Sequence, residues 1–74
     1  MVVIYVLVVT EVGKENEIAG SLSKIKGVTE AKTVYGEFDV VARIEAQNLK
    51  EVDEIITSLR KIPGIIRTVT LISA

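Results

Sequence analysis

Cysteine and histidine are both absent from the 74 residues of this chain. Without cysteine there can be no disulfide framework, and without either residue the usual ligand sets of a structural zinc site are missing. The same absences remove most catalytic nucleophile–base pairs. What remains for proton transfer is Asp39, Glu37, Tyr5, Tyr35 and the lysines. Nothing in the sequence makes them converge, so neither an enzyme, a bound metal nor a cofactor is expected. An excess of charge of one sign is lacking too. The formal net charge is −1 and no run of Lys or Arg exceeds two, which leaves no electrostatic footprint for a nucleic-acid backbone, and direct DNA binding is not expected. The longest apolar run, Val2–Val9, has eight residues. That is too short to span a membrane, no basic leader precedes it, and Thr10-Glu11 follows it in place of a small-residue cleavage site. The expected setting is cytoplasmic, with no membrane association.

What the chain does have is apolar residues at 49% and charged ones at 26%, the balance of an ordered globular protein. Residues 1–74 suffice for one domain, and a single core of that size is marginal without a staple. Oligomerisation is the staple left. Val2–Val9 is β-branched and apolar at every position, the mark of a strand buried on both faces. From Lys14 to Lys26 the spacing turns helical, with Ile18, Ala19, Leu22 and Ile25 on one face and Gly27 as the stop. Val28–Tyr35 and Glu37–Glu45 read as a hairpin about a tight turn at Gly36. Asn48 followed by Glu51 has the form of a capping box, opening a helix that carries Leu49, Val52, Ile55, Ile56, Leu59 and Ile62 inward until Pro63-Gly64 ends it. Ile65–Ile72 is the last strand.

An internal repeat supports this order. A shift of 37 residues lays EIAGSLSKIKGVTEAKTV (Glu17–Val34) on EIITSLRKIPGIIRTVTL (Glu54–Leu71), with eight of eighteen positions identical, among them Ile18/Ile55, Leu22/Leu59 and Gly27/Gly64. Two β-α-β copies related by a pseudo-two-fold make a ferredoxin-like α+β sandwich, β-α-β-β-α-β, with antiparallel sheet order 4-1-3-2 and both helices on one face. In the third strand Phe38, Val40, Ala42 and Ile44 alternate toward the helices, and Glu37, Asp39, Val41, Arg43 and Glu45 toward the other side. The first strand is apolar on both sides, so whether Val3, Tyr5, Leu7 and Val9 or the alternate set faces the helices, large apolar side chains remain on the bare face. Covering them at roughly 1.5–3 kcal/mol each favours at least a dimer through that face.

Asp39 is the residue that most needs a reason, because it interrupts a strand. It reads equally as an exposed sheet-face carboxylate near Arg43 or a partner's basic group, or as the holder of a small ligand's ammonium at a subunit junction. Gly36 is either a residue that tolerates positive φ or the opening through which a ligand carboxylate reaches the amides of the turn.

Three stretches carry a resemblance: the helix-closing KIKGV (Lys24–Val28), the hairpin YGEFDVVARI (Tyr35–Ile44) with its Gly-x-x-Asp turn, and the ending IPGIIRTVTLI (Ile62–Ile72) with its Thr-x-Thr strand. Over essentially its whole length the chain resembles the ligand-sensing (RAM) domain of the Lrp/AsnC feast/famine regulators. The family's helix-turn-helix domain has no counterpart, since Met1 runs straight into the first strand. The resemblance implies an effector-binding and oligomerisation module of transcription regulation, acting through a full-length Lrp/AsnC-type regulator. It implies dimers that associate further into a ring such as an octamer, with an amino acid or similar effector bound between dimers. By position it implies Tyr35, Gly36, Glu37, Phe38 and Asp39 around that effector, with Thr68 and Thr70 as further candidates. Those threonines equally suit an ordinary edge strand. Rival readings are an ACT-like amino-acid-binding regulatory subunit, whose glycine-bearing turn would follow the first strand near Gly13, a small dimeric ferredoxin-like enzyme, and a purely structural oligomeriser.

Overall fold

The computed structural model covers residues 1–74. Its elements are β1 (Val2–Thr10), α1 (Glu15–Ser23), β2 (Val28–Thr33), β3 (Val40–Ala46), α2 (Leu49–Leu59) and β4 (Ile65–Ile72). They form one sheet in the order β2-β3-β1-β4 with every neighbouring pair antiparallel, the ferredoxin-like α+β arrangement and sheet order expected. The two strands richest in apolar residues hold the centre, where both faces have most to cover. No helix is long and apolar enough to cross a membrane.

The alternate set of β1 is the one that faces the helices: Ile4, Val6 and Val8 are fully buried and Thr10 ends the row. Val40, Ala42, Ile44 and Ala46 of β3 complete the strand layer of the core, against Ile18 and Leu22 of α1 and Val52, Ile55 and Leu59 of α2. Leu49, expected inward, is 61% exposed. It stands on the first turn of α2 and lines an open, mostly apolar hollow with Met1, Val2, Val3 and Ile72 at the ends of β1 and β4. The α2 start is capped as its sequence indicates, although the two halves of the box reach different amides. Asn48 Oδ1 accepts the Glu51 N–H at 2.9 Å, while Glu51 Oε1 accepts from Gln47 N at 3.2 Å, one residue earlier than the usual partner. Helix α1 is shorter than its periodicity suggests. After Ser23 the chain leaves the helix in a tight turn, Ile25 N donating to Leu22 O at 3.1 Å, which still lays Ile25 against the core.

The sequence repeat is a packing repeat. Gly27 and Gly64 both sit at φ +97°, and each lies under the isoleucine of the opposite copy: a Cβ on Gly27 would stand 2.8 Å from Ile55 Cδ1, one on Gly64 3.1 Å from Ile18 Cδ1. Their carbonyls accept N–H groups from Glu45 and Glu11, each at 2.8 Å. A close approach of helix end to neighbouring helix requires glycine at both places.

The sheet face away from the helices carries the other half of β1. The register sets Leu7 between Val41 and Val69, and Tyr5 between Arg43 and Leu71. On this face Lys32 pairs with Glu30 at 3.3 Å and Arg43 with Glu45, while Arg67, opposite Val9, has the Phe38 ring beside it and no carboxylate. The hydrogen bond that Arg43 donates to Glu45, and secondarily one to Tyr5, raises the Arg43 pKa.

Candidate functional site

β2 ends at Thr33 and β3 begins at Val40, so the segment between them is a loop, Val34–Asp39, and not the tight turn expected at Gly36. Two backbone bonds tie its base: Val34 N–H to Asp39 O at 2.9 Å, and Asp39 N–H to Val8 O at 2.8 Å. Gly36, at φ +128°, makes the reversal at the crest, in a conformation that residues with a Cβ seldom adopt. The N–H groups of Tyr35, Gly36, Glu37 and Phe38 donate to no acceptor in the chain. Such a run of free loop amides suits an anion.

Asp39 does not pair with Arg43. Its Oδ2 accepts the Thr10 backbone N–H at 2.9 Å and lies 3.5 Å from the Thr10 hydroxyl. The reason is the sheet edge itself: the β1–β3 ladder stops at the Val8–Val40 pair while β1 continues along β4 to Thr10. The last N–H of β1 therefore has no strand partner on that side, and a carboxylate at 39 supplies the missing acceptor. The other carboxylate oxygen accepts no hydrogen bond within the chain.

Beside this loop is an open cavity of about 200 Å³ lined by Glu15, Asn16, Thr33, Val34, Tyr35 and Asp39. Of the residues expected around an effector, Tyr35 and Asp39 meet here. Gly36 and Glu37 are exposed and outside the lining. Phe38 was expected to point toward the helices from within β3. It belongs to the loop instead, its ring 5.7 Å from the Arg67 guanidinium, a cation–π contact to β4. Thr68 and Thr70 pair with Val8 and Val6, on the helix-side row of the edge strand, and take no part in the cavity.

Glu15, Asn16 and Thr33 were not singled out from the sequence, although the topology holds the signal. The start of α1 follows the end of β1, and the β2–β3 loop emerges at that same end of the sheet. The three other hollows lack these residues, including one of about 260 Å³ beside Lys26, Glu45 and Glu51. One of about 250 Å³ lies between Ile25 and Ser58 on the helix layer. One of about 520 Å³ beside Met1, Leu49 and Ile72 is almost wholly apolar. The loop cavity holds two carboxylates, Glu15 and Asp39, and neutral polar groups, and the amides of Gly36, Glu37 and Phe38 stand next to it in the chain, outside its lining.

Residues 3–74 match the family model described as the Lrp/AsnC ligand binding domain. An uncharacterised HTH-type transcriptional regulator of Pyrococcus furiosus is 42% identical over 60 residues, which are 80% of this chain and 40% of that regulator. A crystal structure of a hypothetical protein from Pyrococcus horikoshii superposes with a TM-score of 0.94 at 41% identity, covering 100% of this chain and 90% of that one. A shorter match reaches homocitrate synthase of Sulfurisphaera tokodaii, 35% identical over 49 residues, 66% of this chain and 11% of the enzyme. The chain thus spans about 40% of the length of the regulators it matches.

Proposed function

Because this chain belongs to the Lrp/AsnC ligand binding domain family, we propose that it is an amino-acid-binding and oligomerisation module of transcription regulation. The observation that carries the reading is the loop cavity, where Asp39 and Tyr35 lie beside the unpartnered amides of residues 35–38. A free amino acid presents an ammonium and a carboxylate one bond either side of its Cα. The free oxygen of Asp39 takes the first and the amides near Gly36 the second. Glu37 and Phe38 serve the loop's shape and rim. Thr68 and Thr70, on the helix-side row of β4, lie outside the cavity lining and have no place in this reading within one chain.

The cavity is open, and a second subunit laid over the loop would close it. That fits a homodimer built through the bare sheet face and carried on into a ring such as an octamer, with the effector at junctions between dimers. The 74 residues contain only α1 and α2, both packed on the sheet, so neither is free to act as a recognition helix in a DNA groove. An effect on transcription would run through co-assembly with a DNA-binding relative.

Calorimetry against the twenty amino acids tests the reading. Binding of at least one, in the micromolar to millimolar range suited to so small a ligand, is expected. Asp39→Asn keeps an oxygen for Thr10 and removes the charge, and should weaken that binding by roughly 1.5–3 kcal/mol. A full panel without binding, or undiminished affinity in Asp39→Asn, contradicts the assignment.

A further inference from the structure

We infer that the outer edge of β4 pairs antiparallel with β4 of a second copy, and that this seam links face-to-face dimers into the larger assembly, a role that rests on the proposed dimer. The sheet has two open edges, and they are unlike. β2 is six residues long, its register with β3 shifts between Val28 and Glu30, and Glu30 and Lys32 stand along it as an ion pair at 3.3 Å. A short, irregular, charged edge resists further pairing. β4 runs for eight residues, IIRTVTLI, with Arg67 as its one charge and no proline. Ile66, Leu71 and Ile72 are all exposed on it. A long apolar edge of this kind is a template for another strand.

The backbone of β4 shows which residues would meet that strand. Ser73 N–H donates to Val3 O at 2.9 Å, so these two form a hydrogen-bonded pair of the ladder, and such pairs alternate with pairs that exchange no bonds. Leu71 and Val69, opposite Tyr5 and Leu7, are therefore bonded to β1. The N–H and C=O groups of Thr68, Thr70 and Ile72 point out of the edge. Counted outward from Val69, the strand nearly mirrors itself: Thr68 with Thr70, Arg67 with Leu71, Ile66 with Ile72. A two-fold axis at Val69 sets each residue against its mirror residue in the second copy. Thr68 then faces Thr70 twice, and these are residues with outward backbone groups, enough for about four new backbone hydrogen bonds. Arg67 meets Leu71, so no like charges oppose each other, and threonine against threonine is a favourable cross-strand pair. A register displaced by one residue would turn outward groups of one strand against groups already bonded to β1 of the other. The Thr-x-Thr of β4, outside the loop cavity, thus has a use at the sheet edge.

The seam is narrow beside the about 800 Å² per partner of a standard interface, so one seam alone does not hold two chains together at micromolar concentration. A face-to-face dimer displays two β4 edges. Two different two-fold contacts on each chain join dimers into a closed set, and closure makes the weak seams act together.

Sedimentation velocity on the intact protein at micromolar concentration should show the wild type as a multiple of the dimer. Thr68→Lys combined with Thr70→Lys, checked for folding by its melting curve, sets ammonium groups opposite one another across the seam and should leave only the dimer. Thr68→Lys combined with Thr70→Glu sets opposite charges there and should restore the larger assembly. Amide hydrogen exchange on the unmodified protein needs no substitution: the N–H groups of Thr68 and Thr70 should be as protected as that of Val69 in the assembly and lose that protection on dilution to the dimer. A double-lysine variant that assembles as the wild type does, or threonine amides that exchange freely in the assembly, overturns the seam. A wild type that stops at a dimer, itself dissociated by Leu7→Lys, overturns the seam and leaves the face dimer standing. A dimer dissociated by the two lysines and untouched by Leu7→Lys overturns the face contact and keeps the seam. Failure of Thr70→Glu to restore what Thr70→Lys removes overturns the register about Val69.

Discussion

Asp39 serves the fold before it serves any ligand. Its carboxylate closes the last open N–H of β1, and this yields a prediction that separates the two roles. Asp39→Ala leaves the Thr10 amide without an acceptor in a part-buried position and should cost about 1–3 kcal/mol of stability. Asp39→Asn keeps an oxygen there and should cost much less. Equal urea midpoints for the wild type and Asp39→Ala would show that water replaces the carboxylate without loss. The peculiarity of Asp39 was legible in the sequence, as a charge set into a strand-like run. Its partner was not, because Thr10 is 29 residues away and only the point where the β1–β3 ladder stops brings the two together. Tyr35 was named through the family resemblance of the YGEFDVVARI hairpin, whereas Glu15 and Asn16 belong to a different element and carry no motif. Phe38 was misplaced for a related reason: the alternation Phe38, Val40, Ala42, Ile44 runs unbroken through the strand boundary, and alternation says nothing of where pairing ends.

At the scale of elements, the repeat is what made the fold readable, since two similar β-α-β units admit few arrangements around one sheet. Boundaries were less readable than existence. Hydrophobic spacing continues past the real end of α1 because Ile25 still packs on the core after the helix has stopped. The repeat also permits a comparison within one molecule. Gly27→Ala and Gly64→Ala each force a side chain into the same positive φ, at a cost of about 1–2 kcal/mol from the backbone. At Gly64 the one tight contact is Ile18 Cδ1 at 3.1 Å, the end of a side chain that can yield, and the Lys14 stem stands at an ordinary 3.6 Å. At Gly27 the new methyl would meet Ile55 Cδ1 at 2.8 Å and the Glu45 carbonyl at 3.1 Å. That carbonyl belongs to β3, so overpacking adds about 1–3 kcal/mol more. Chemical denaturation should therefore rank Gly27→Ala as the more damaging. The reverse order would mean that β3 gives way more easily than the helix side chains do.

For the whole molecule, the decisive quantity is what covers the bare sheet face. A core of twelve buried residues is small, and Val3, Tyr5, Leu7 and Val9 turn away from it. A standard interface of about 800 Å² per partner would take roughly one sixth of the 4799 Å² surface of the chain. The sheet face is suited to that role because Lys32 and Arg43 already have carboxylate partners, which leaves Arg67, at its end opposite Val9, as the cation that a second copy must leave at the wet rim or meet with an acceptor. Leu7 sits at the middle of the face between Val41 and Val69 and does not touch the helix layer, so Leu7→Lys should leave the fold of one chain intact. In a two-fold dimer the change occurs twice. Losing two buried leucines removes roughly 3–6 kcal/mol of association energy, about two to four decades in Kd, before the cost of burying two ammonium groups. Sedimentation equilibrium at micromolar concentration should find the wild type dimeric or larger and Leu7→Lys monomeric. The melting temperature of the wild type should also rise with protein concentration, as it does when assembly stabilises the folded chain, and that dependence should vanish in the variant. A Leu7→Lys protein that still associates as the wild type does would move the dimer contact off this face, and with it the closure of the cavity beside Asp39.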